Sequence, residues 1–456
     1  VKKNALGYVF RVFIIHRLLV SLIGVVMTLY LTITGADVNK IYLGSDFPKI
    51  YEVPPEVLPP SEGIGLFLLS PFQRYDAEHY LTIAARGYGF DPSLVSFPPF
   101  FSILTGFLGR ILFGQYLLAS LLISNVCYFL SLYLLYLLTA RRWGEWAAQN
   151  TCKWLALFPT ALFLLMPYTE SLFLVLVFAT FYFCEDERWW LGSFFGFLAG
   201  LTRLQGIVLI LPVLVMYFKR FSLTERDRDK PGNKGDELPV SEEGQKGKVV
   251  EDKSNMAFFQ RFKTFSIQYA GLIIQNWRWR WSLVPILMIP AGFVGYQAYV
   301  YLFPPFPASN IVSNLSSYFY VRVVTPFETL FWAVVRPFQA IFRGEAFLNI
   351  WNFSDILALL MIVWALWVGR KLLPLEYQVF AWATLLVLLT RTGENLSLVS
   401  MMRYLITIFP AFMVVGVGLS QNRFPRLKHY NRLIVTLAVL FQGLLIGFFT
   451  VWVWAG

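Results

Sequence analysis

Tyr116–Leu138 is an unbroken apolar stretch without one charged side chain, and no other feature constrains the fold as much. A run of that length crosses the roughly 30 Å hydrocarbon layer of a bilayer as one helix, because a helix satisfies its own backbone polar groups. A membrane barrel would show short strands of alternating polarity instead, and this run does not alternate. Comparable runs recur near 8–34, 97–113, 147–166, 169–184, 189–217, 281–304, 353–369, 375–391, 403–420 and 433–455. Together they predict about eleven transmembrane helices. Apolar residues make up 57% of the chain and charged residues 14%, so the expectation is an all-α polytopic membrane protein with large external loops.

The formal charge of +11 sits mostly beside apolar segments, where it orients helices and meets anionic lipid. Membrane lipid is therefore an expected partner and nucleic acid is not. Lys2, Lys3, Arg11, Arg370, Lys371, Arg423, Arg426, Lys428 and Arg432 mark cytoplasmic ends, as does the charged stretch 219–280, which is too polar to fold alone and reads as a disordered cytoplasmic loop. The first run, Tyr8–Thr34, reads as a retained span because it is too long for a signal peptide. These assignments divide the chain into an N-terminal transmembrane module (1–218), the charged loop (219–280) and a C-terminal transmembrane module (281–456). They place 35–96, the external loop 305–352 and 392–402 on the outer face, with Phe327–Gly344 able to lie along the membrane surface as an amphipathic helix. One conflict remains open. A simple count puts Arg141 and Arg142 outside and Glu170 inside; a second parse treats 97–114 as a re-entrant or surface helix and splits 189–217 at Thr202–Gly206.

Chemistry in such a chain is to be sought where charge interrupts apolar sequence, since lipid solvates charge poorly. Arg74-Tyr75-Asp76-Ala77-Glu78-His79-Tyr80 is the densest such cluster. Asp76 is a candidate general base, with Arg74 and His79 able to hold it or meet a phosphate; the plainer alternative is a charged helix anchor. If helical, Asp76, His79, Tyr80, Ile83 and Gly87 share a face. Pro167-Tyr168-Thr169-Glu170-Ser171 places a carboxylate and two hydroxyls at a broken helix end, or simply caps a kinked helix. Thr202-Arg203-Leu204-Gln205-Gly206 embeds an Arg and a Gln in an apolar run, where Arg203 needs either a phosphate or a structural partner such as Glu170 or Asp76. Arg403-Tyr404 follows the polar segment Glu394–Ser400, and Arg403 reads either as a headgroup ligand or as a snorkelling interface residue. Cys127, Cys152 and Cys184 lack paired spacing and His16, His79 and His429 are scattered, so neither a disulfide nor a metal site is expected.

Arg74-Tyr-Asp76-Ala-Glu-His79-Tyr80, with Gly87-Tyr88 and Phe97-Pro98 after it, resembles the Arg-Trp-Asp-Ala-x-His-Phe pattern of the PIG-V family, the second mannosyltransferase of GPI-anchor assembly and its prokaryotic relatives. Phe158-Pro159, Tyr168-Thr-Glu170 and Thr202-Arg203-Leu-Gln205-Gly206 are similar to that family's later motifs, and the likeness covers about residues 70–215. Tyr75, Phe158 and Leu204-Gln205 depart from the pattern, as does the charged insertion 220–256. The resemblance implies a GT-C-type fold and a glycosyltransferase, with mannose the first choice of sugar. Such an enzyme takes the sugar from a polyprenyl-phosphate-linked donor to a glycolipid or glycan acceptor on the non-cytoplasmic face, at the plasma membrane in a prokaryote or the endoplasmic reticulum in a eukaryote. It further implies Asp76 as the base, Arg203 and Arg403 as phosphate ligands with His79 a weaker one, Tyr168 and Glu170 as orienting groups, Gln205 and Tyr404 beside them, and no cofactor or divalent metal in the scheme. The rival class is a transporter or flippase of lipid-linked sugars, which many spans and buried charges would also suit. No internal repeat or ATP-binding loop supports it.

Overall fold

The computed structural model describes residues 2–35, 52–228, 283–303, 311–344, 346–393 and 397–451. Most of the charged segment 219–280, part of the loop 35–75, residues 304–310 and Glu394–Leu396 lie outside these. The described chain is overwhelmingly helical, and its one sheet is a two-stranded antiparallel ribbon.

Each helix begins or stops where the sequence supplies a reason. α1 (Lys2–Ile33) is followed by a short α2 (Gly63–Leu68), then by α3 (Asp76–Arg86), which ends at Gly87 with φ of +77°. α4 (Phe100–Ile111) and α5 (Tyr116–Trp143) come next, and α5 stops at Gly144, whose φ of +83° a side chain would resist. α6 (Glu145–Ala156) gives way at Phe158-Pro159 to a 3-10 turn, and α7 (Glu170–Glu185) starts beyond the second proline. α8 (Trp189–Thr202) and α9 (Ile210–Arg228) are separated by a break at Arg203, so the run 189–217 is divided where the second parse divides it. The second half comprises α10 (Met288–Leu302), α11 (Ile311–Phe319), β1 (Val321–Val323), α12 (Pro326–Arg343), α13 (Ala346–Gly369), α14 (Leu375–Leu388) and β2 (Arg391–Gly393). α15 (Met401–Leu405), α16 (Pro410–Ser420), α17 (Pro425–His429) and α18 (Asn431–Thr450) complete it.

Among the described residues, five helical segments are long and apolar enough to cross a membrane: Asn4–Ile33, Tyr116–Trp143, Val284–Leu302, Trp351–Gly369 and Asn431–Thr450. Other apolar runs form shorter or broken helices, Phe100–Ile111, Trp189–Thr202, Leu375–Leu388 and Pro410–Ser420 among them. A helix of twelve to fourteen residues rises only about 18–21 Å, so the count of eleven full-length spans is coarser than the structure. α8 and α10 approach closely because both carry small residues at the contact: a side chain on Gly292 would run into the Phe197 carbonyl, and one on Gly196 into Ile289.

Charge collects at two opposite ends of this bundle. At one end Arg142 reaches Glu185 (2.9 Å) and Glu376 (3.2 Å), Lys219 reaches Glu376 (2.5 Å), and Arg141 grips Asp186. These pairs tie the ends of α5 and α7 and the start of α14 to the helix that leads into the charged segment. Glu170 starts α7 and Glu185 ends it, roughly 22 Å apart. Glu170 therefore lies at the other end, where a single guanidinium touches both it and Asp76. The simple count, which set these two carboxylates on opposite faces, does not accommodate that contact.

Candidate functional site

Arg74 and Asp76 are separated by Tyr75, whose φ of +53° and ψ of −123° lie outside the ordinary range of a tyrosine. After this turn the two ionisable side chains serve different partners. Arg74 is fully buried and donates to the carbonyls of Ser70 (2.5 Å), Gln73 (2.7 Å) and, from two nitrogens, Thr450 (3.1 and 3.0 Å). It thus holds the last carbonyl of α18, that of Thr450, against the first loop and does not line the cavity that Asp76 lines, contrary to its expected support of Asp76 or of a phosphate. The Tyr168 hydroxyl donates to the Arg74 carbonyl (2.8 Å), which fixes the same junction.

Asp76 opens α3 with its side chain 24% exposed, and its Oδ2 accepts from Arg403 Nη1 at 2.6 Å. Arg403 Nε donates to Glu170 Oε1 at 2.6 Å, and Arg203 Nη1 reaches the same oxygen at 2.8 Å. Arg203 also donates to Thr169 Oγ1 (2.9 Å) and to Gln205 Oε1 (3.3 Å). The result is an alternating chain of charge, Asp76 to Arg403 to Glu170 to Arg203, in which Glu170 is fully buried. Burying these charges is tolerable only because each is paired. Arg403, 2% exposed, is therefore not a snorkelling residue, and of the two open readings of Arg203 the structure realises the pairing with Glu170.

The backbone presents both arginines at irregularities. Arg203 is extended (φ −153°, ψ 148°) between α8 and a 3-10 turn. Arg403 rides on the short α15, entered through Ser400 at φ +52° and capped by Asp355 Oδ1, which accepts from the Met402 amide at 2.7 Å. Aromatic faces floor the cluster: Arg403 lies 4.5 Å from the Tyr168 ring and 5.1 Å from that of Phe163. The Tyr404 ring is flanked by Arg203 at 4.7 Å and by Arg391 at 3.8 Å.

Arg391 went unremarked in the sequence reading. It stands on β2, paired with Val323 of β1; its Nη2 donates a long bond to the Val399 carbonyl (3.4 Å), and the buried carboxylate of Asp355 is near enough to act on it electrostatically without forming an ion pair. A basic residue at the end of the apolar run 375–391 was the available signal. Asp355 could also have been noticed, as a carboxylate inside an apolar run.

These groups surround a cavity of about 290 Å³ lined by Asp76, Tyr80, Thr169, Arg203, Gln205, Arg391, Arg403 and Tyr404, with apolar walls from Phe97, Phe293, Phe319 and Leu388. Glu170 and Tyr168 support the arginines from behind rather than lining the space. Among the lining residues three arginines face one carboxylate, Asp76, with Glu170 and Asp355 outside the lining, a positive lining that suits an anion. His79 takes no part as a cation. It stacks on Phe97 (4.6 Å) and meets Phe319 edge-on, and burial pushes its imidazole down to about 4 against the opposing pull of Asp76 and Asp91, so it is neutral at neutral pH. Among the described residues no three His, Cys, Asp or Glu side chains come together as a metal-binding group. No protein-family model matches the chain, and neither a curated protein nor a solved structure matches it.

Proposed function

We propose that the chain is a membrane glycosyltransferase of the PIG-V type with a GT-C-like fold. It moves a sugar, mannose first among the candidates, from a polyprenyl-phosphate carrier to a hydroxyl of a glycolipid or glycan on the non-cytoplasmic face. The observation that carries this reading is the pairing, in one cavity, of a partly exposed aspartate with an excess of guanidinium groups. A hydroxyl acceptor needs a base, and a lipid phosphate leaving group needs cations. The non-cytoplasmic assignment is supported by the opposite charged end, where Arg141, Arg142 and Lys219 gather beside the charged segment as cytoplasmic basic residues do.

Arg403 holds Asp76 Oδ2, and Oδ1 accepts no hydrogen bond from a described residue. In the proposed reaction an acceptor hydroxyl gives its proton to that oxygen while its own oxygen bonds to the anomeric carbon. The bond from that carbon to the phosphate oxygen breaks with inversion, and its electron pair stays on the phosphate. Arg391 and Arg403 meet the growing negative charge, where a fork of N–H donors matches phosphate oxygens. Glu170 fixes the Nε edge of Arg403, so the guanidinium is oriented before any ligand arrives.

The test offers labelled polyprenyl-phosphate-mannose and polyprenyl-phosphate-glucose to membranes containing the protein and a native lipid extract. Label should appear in a lipid or glycan product with the wild type and vanish with Asp76→Asn. Transfer from neither donor, or full transfer by the variant, overturns the reading; counterflow of labelled substrate that ignores the substitution would instead identify a transporter.

A further inference from the structure

Arg403 serves the cavity only if its guanidinium stays between Asp76 and Glu170, 2.6 Å from each. The helix that carries it cannot supply that constancy. α15 has five residues, too few for a helix to be stable by its own hydrogen bonds. Its first amides would ordinarily be satisfied by the side chain at the N-cap, but Ser400, in that position, makes no such bond. The Met401 amide turns back to the Leu398 carbonyl (2.9 Å), and the Met402 amide is taken by Asp355, 47 residues earlier on α13, at 2.7 Å. The Met402 carbonyl is held as well: Thr160 Oγ1 donates to it at 2.9 Å. Both side chains are buried, Thr160 completely, so solvent has little access to either bond.

These two bonds fix more than one residue. The Met402 amide belongs to the planar unit that joins it to Met401, and its carbonyl to the unit that joins it to Arg403, which includes the Arg403 Cα. Holding both planes holds the stem from which the Arg403 side chain departs. The element that supplies Thr160 also reaches the far end of that side chain. Pro159–Leu164 is a 3-10 turn, in which residues three apart lie one above the other, and Phe163 presents its ring 5.1 Å from the Arg403 guanidinium. Asp355, for its part, lies within Trp351–Gly369, an apolar segment of spanning length, where a carboxylate is costly and calls for a use.

We propose that Asp355 and Thr160 are positioning residues: together they clamp the Met402 backbone and so aim Arg403 at Asp76 and Glu170. The clamp itself is independent of what the cavity transfers, whereas its effect on rate rests on the transferase reading, so two measurements are made on the full chain in detergent. In the first, thermal unfolding compares the wild type, Thr160→Val, Glu170→Gln and the double variant. Valine keeps the shape of threonine and lacks the donor. Because the clamp and Glu170 act on one arginine from its two ends, Glu170→Gln should lower the melting midpoint less in Thr160→Val than in the wild type; equal lowerings, the additivity of independent sites, overturn the clamp. In the second, initial rates follow transfer from labelled polyprenyl-phosphate-mannose. Thr160→Val should lower kcat about tenfold while KM for the donor stays within about twofold, the pattern of lost alignment rather than lost binding. Thr160→Ser, which retains the hydroxyl, and Asp355→Asn, which keeps an oxygen for the Met402 amide, should each hold kcat within about threefold of the wild type. Gln378→Ala removes bonds to the Arg370 and Leu373 carbonyls, just past the opposite end of α13, and should lower the midpoint with kcat unchanged. Wild-type kcat in Thr160→Val, a larger loss in either conservative variant, or an equal fall of kcat in Gln378→Ala overturns the positioning role. Absence of transfer by the wild type refutes the transferase and leaves the clamp to be decided by the unfolding comparison.

Discussion

Asp76→Asn and Glu170→Gln alter two carboxylates that share one guanidinium, yet the structure assigns them opposite consequences. The Asp76 side chain is about a quarter exposed, and its amide replacement still offers an oxygen to Arg403, which keeps Glu170 as its ion partner. The cost to stability is therefore that of a weak, solvent-screened pair, about 1 kcal/mol or less. If Asp76 is the base, transfer falls by roughly 10²–10⁴-fold, which is about 2.7–5.5 kcal/mol of barrier. Glu170 has no exposure and receives both Arg403 and Arg203 on one oxygen, so Glu170→Gln leaves Arg403 with Asp76 as its one ion partner and Arg203 buried without a paired carboxylate. Its cost should be about 3–5 kcal/mol of stability. Thermal unfolding in detergent and initial rates with labelled polyprenyl-phosphate-mannose separate the two effects. The expected pattern is a nearly unshifted melting midpoint with transfer abolished for Asp76→Asn, and a clearly lowered midpoint for Glu170→Gln. More than about a tenth of wild-type transfer in Asp76→Asn, outside the range for a general base, would refute the base; an equal loss of stability in both would refute the division of labour.

Arg391→Ala should raise KM for the lipid-linked donor about 10–100-fold, the size of a lost charge-assisted bond of roughly 1.5–3 kcal/mol, with Arg391→Lys partly restoring it; an unchanged KM in both variants counts against a phosphate contact. Arg74→Ala strips donors from the Ser70, Gln73 and Thr450 carbonyls and should cost about 3 kcal/mol or more of stability, seen as a lowered melting midpoint, while KM for the donor in the folded fraction stays put. His79 is neutral in the fold down to about pH 4, whereas in the unfolded chain it takes a proton below about 6.5. Over that window the unfolded state binds the extra proton, so stability falls as pH falls, by at most about 3 kcal/mol. His79→Phe, which keeps the stack on Phe97, should lose less stability than wild type between pH 7.5 and pH 5 in paired unfolding scans; equal losses would show that other groups set the dependence.

Much of the site was legible because a bilayer leaves buried charges few choices. Asp76, Glu170, Arg203 and Arg403 each interrupt apolar sequence, and each has its partner among the other three. Adjacency in sequence was the weaker guide. Arg74 and His79 sit within three residues of Asp76, yet the turn at Tyr75 sends one to the last carbonyl of the last helix and stacking on Phe97 turns the other away. The helical face drawn through Asp76, Tyr80, Ile83 and Gly87 exists, but Asp76 and Tyr80 line the charged cavity while Ile83 and Gly87 line a separate groove, which no periodicity of one helix can reveal. The role of Arg391, as distinct from its presence at the end of an apolar run, was hidden for a similar reason. Its place beside Tyr404 depends on a two-stranded ribbon formed with a segment nearly seventy residues earlier. Helix class was readable from hydropathy, whereas span number was not, since the breaks at Phe158, Arg203 and Ile406 shorten runs that remain apolar throughout.

The guanidinium of Arg403 has a consequence for how the protein is made. Residues 76 and 170 leave the ribosome long before residue 403, so for most of synthesis Glu170 can be neutralised by Arg203 alone and Asp76 lacks Arg403, its partner in the finished fold. The division at 218 is thus one of sequence and not of chemistry, because the N-terminal module lacks a cation that the finished site requires. A nascent chain halted before α15 would carry an incomplete electrostatic circuit inside the membrane, a natural mark by which quality control could tell unfinished protein from finished.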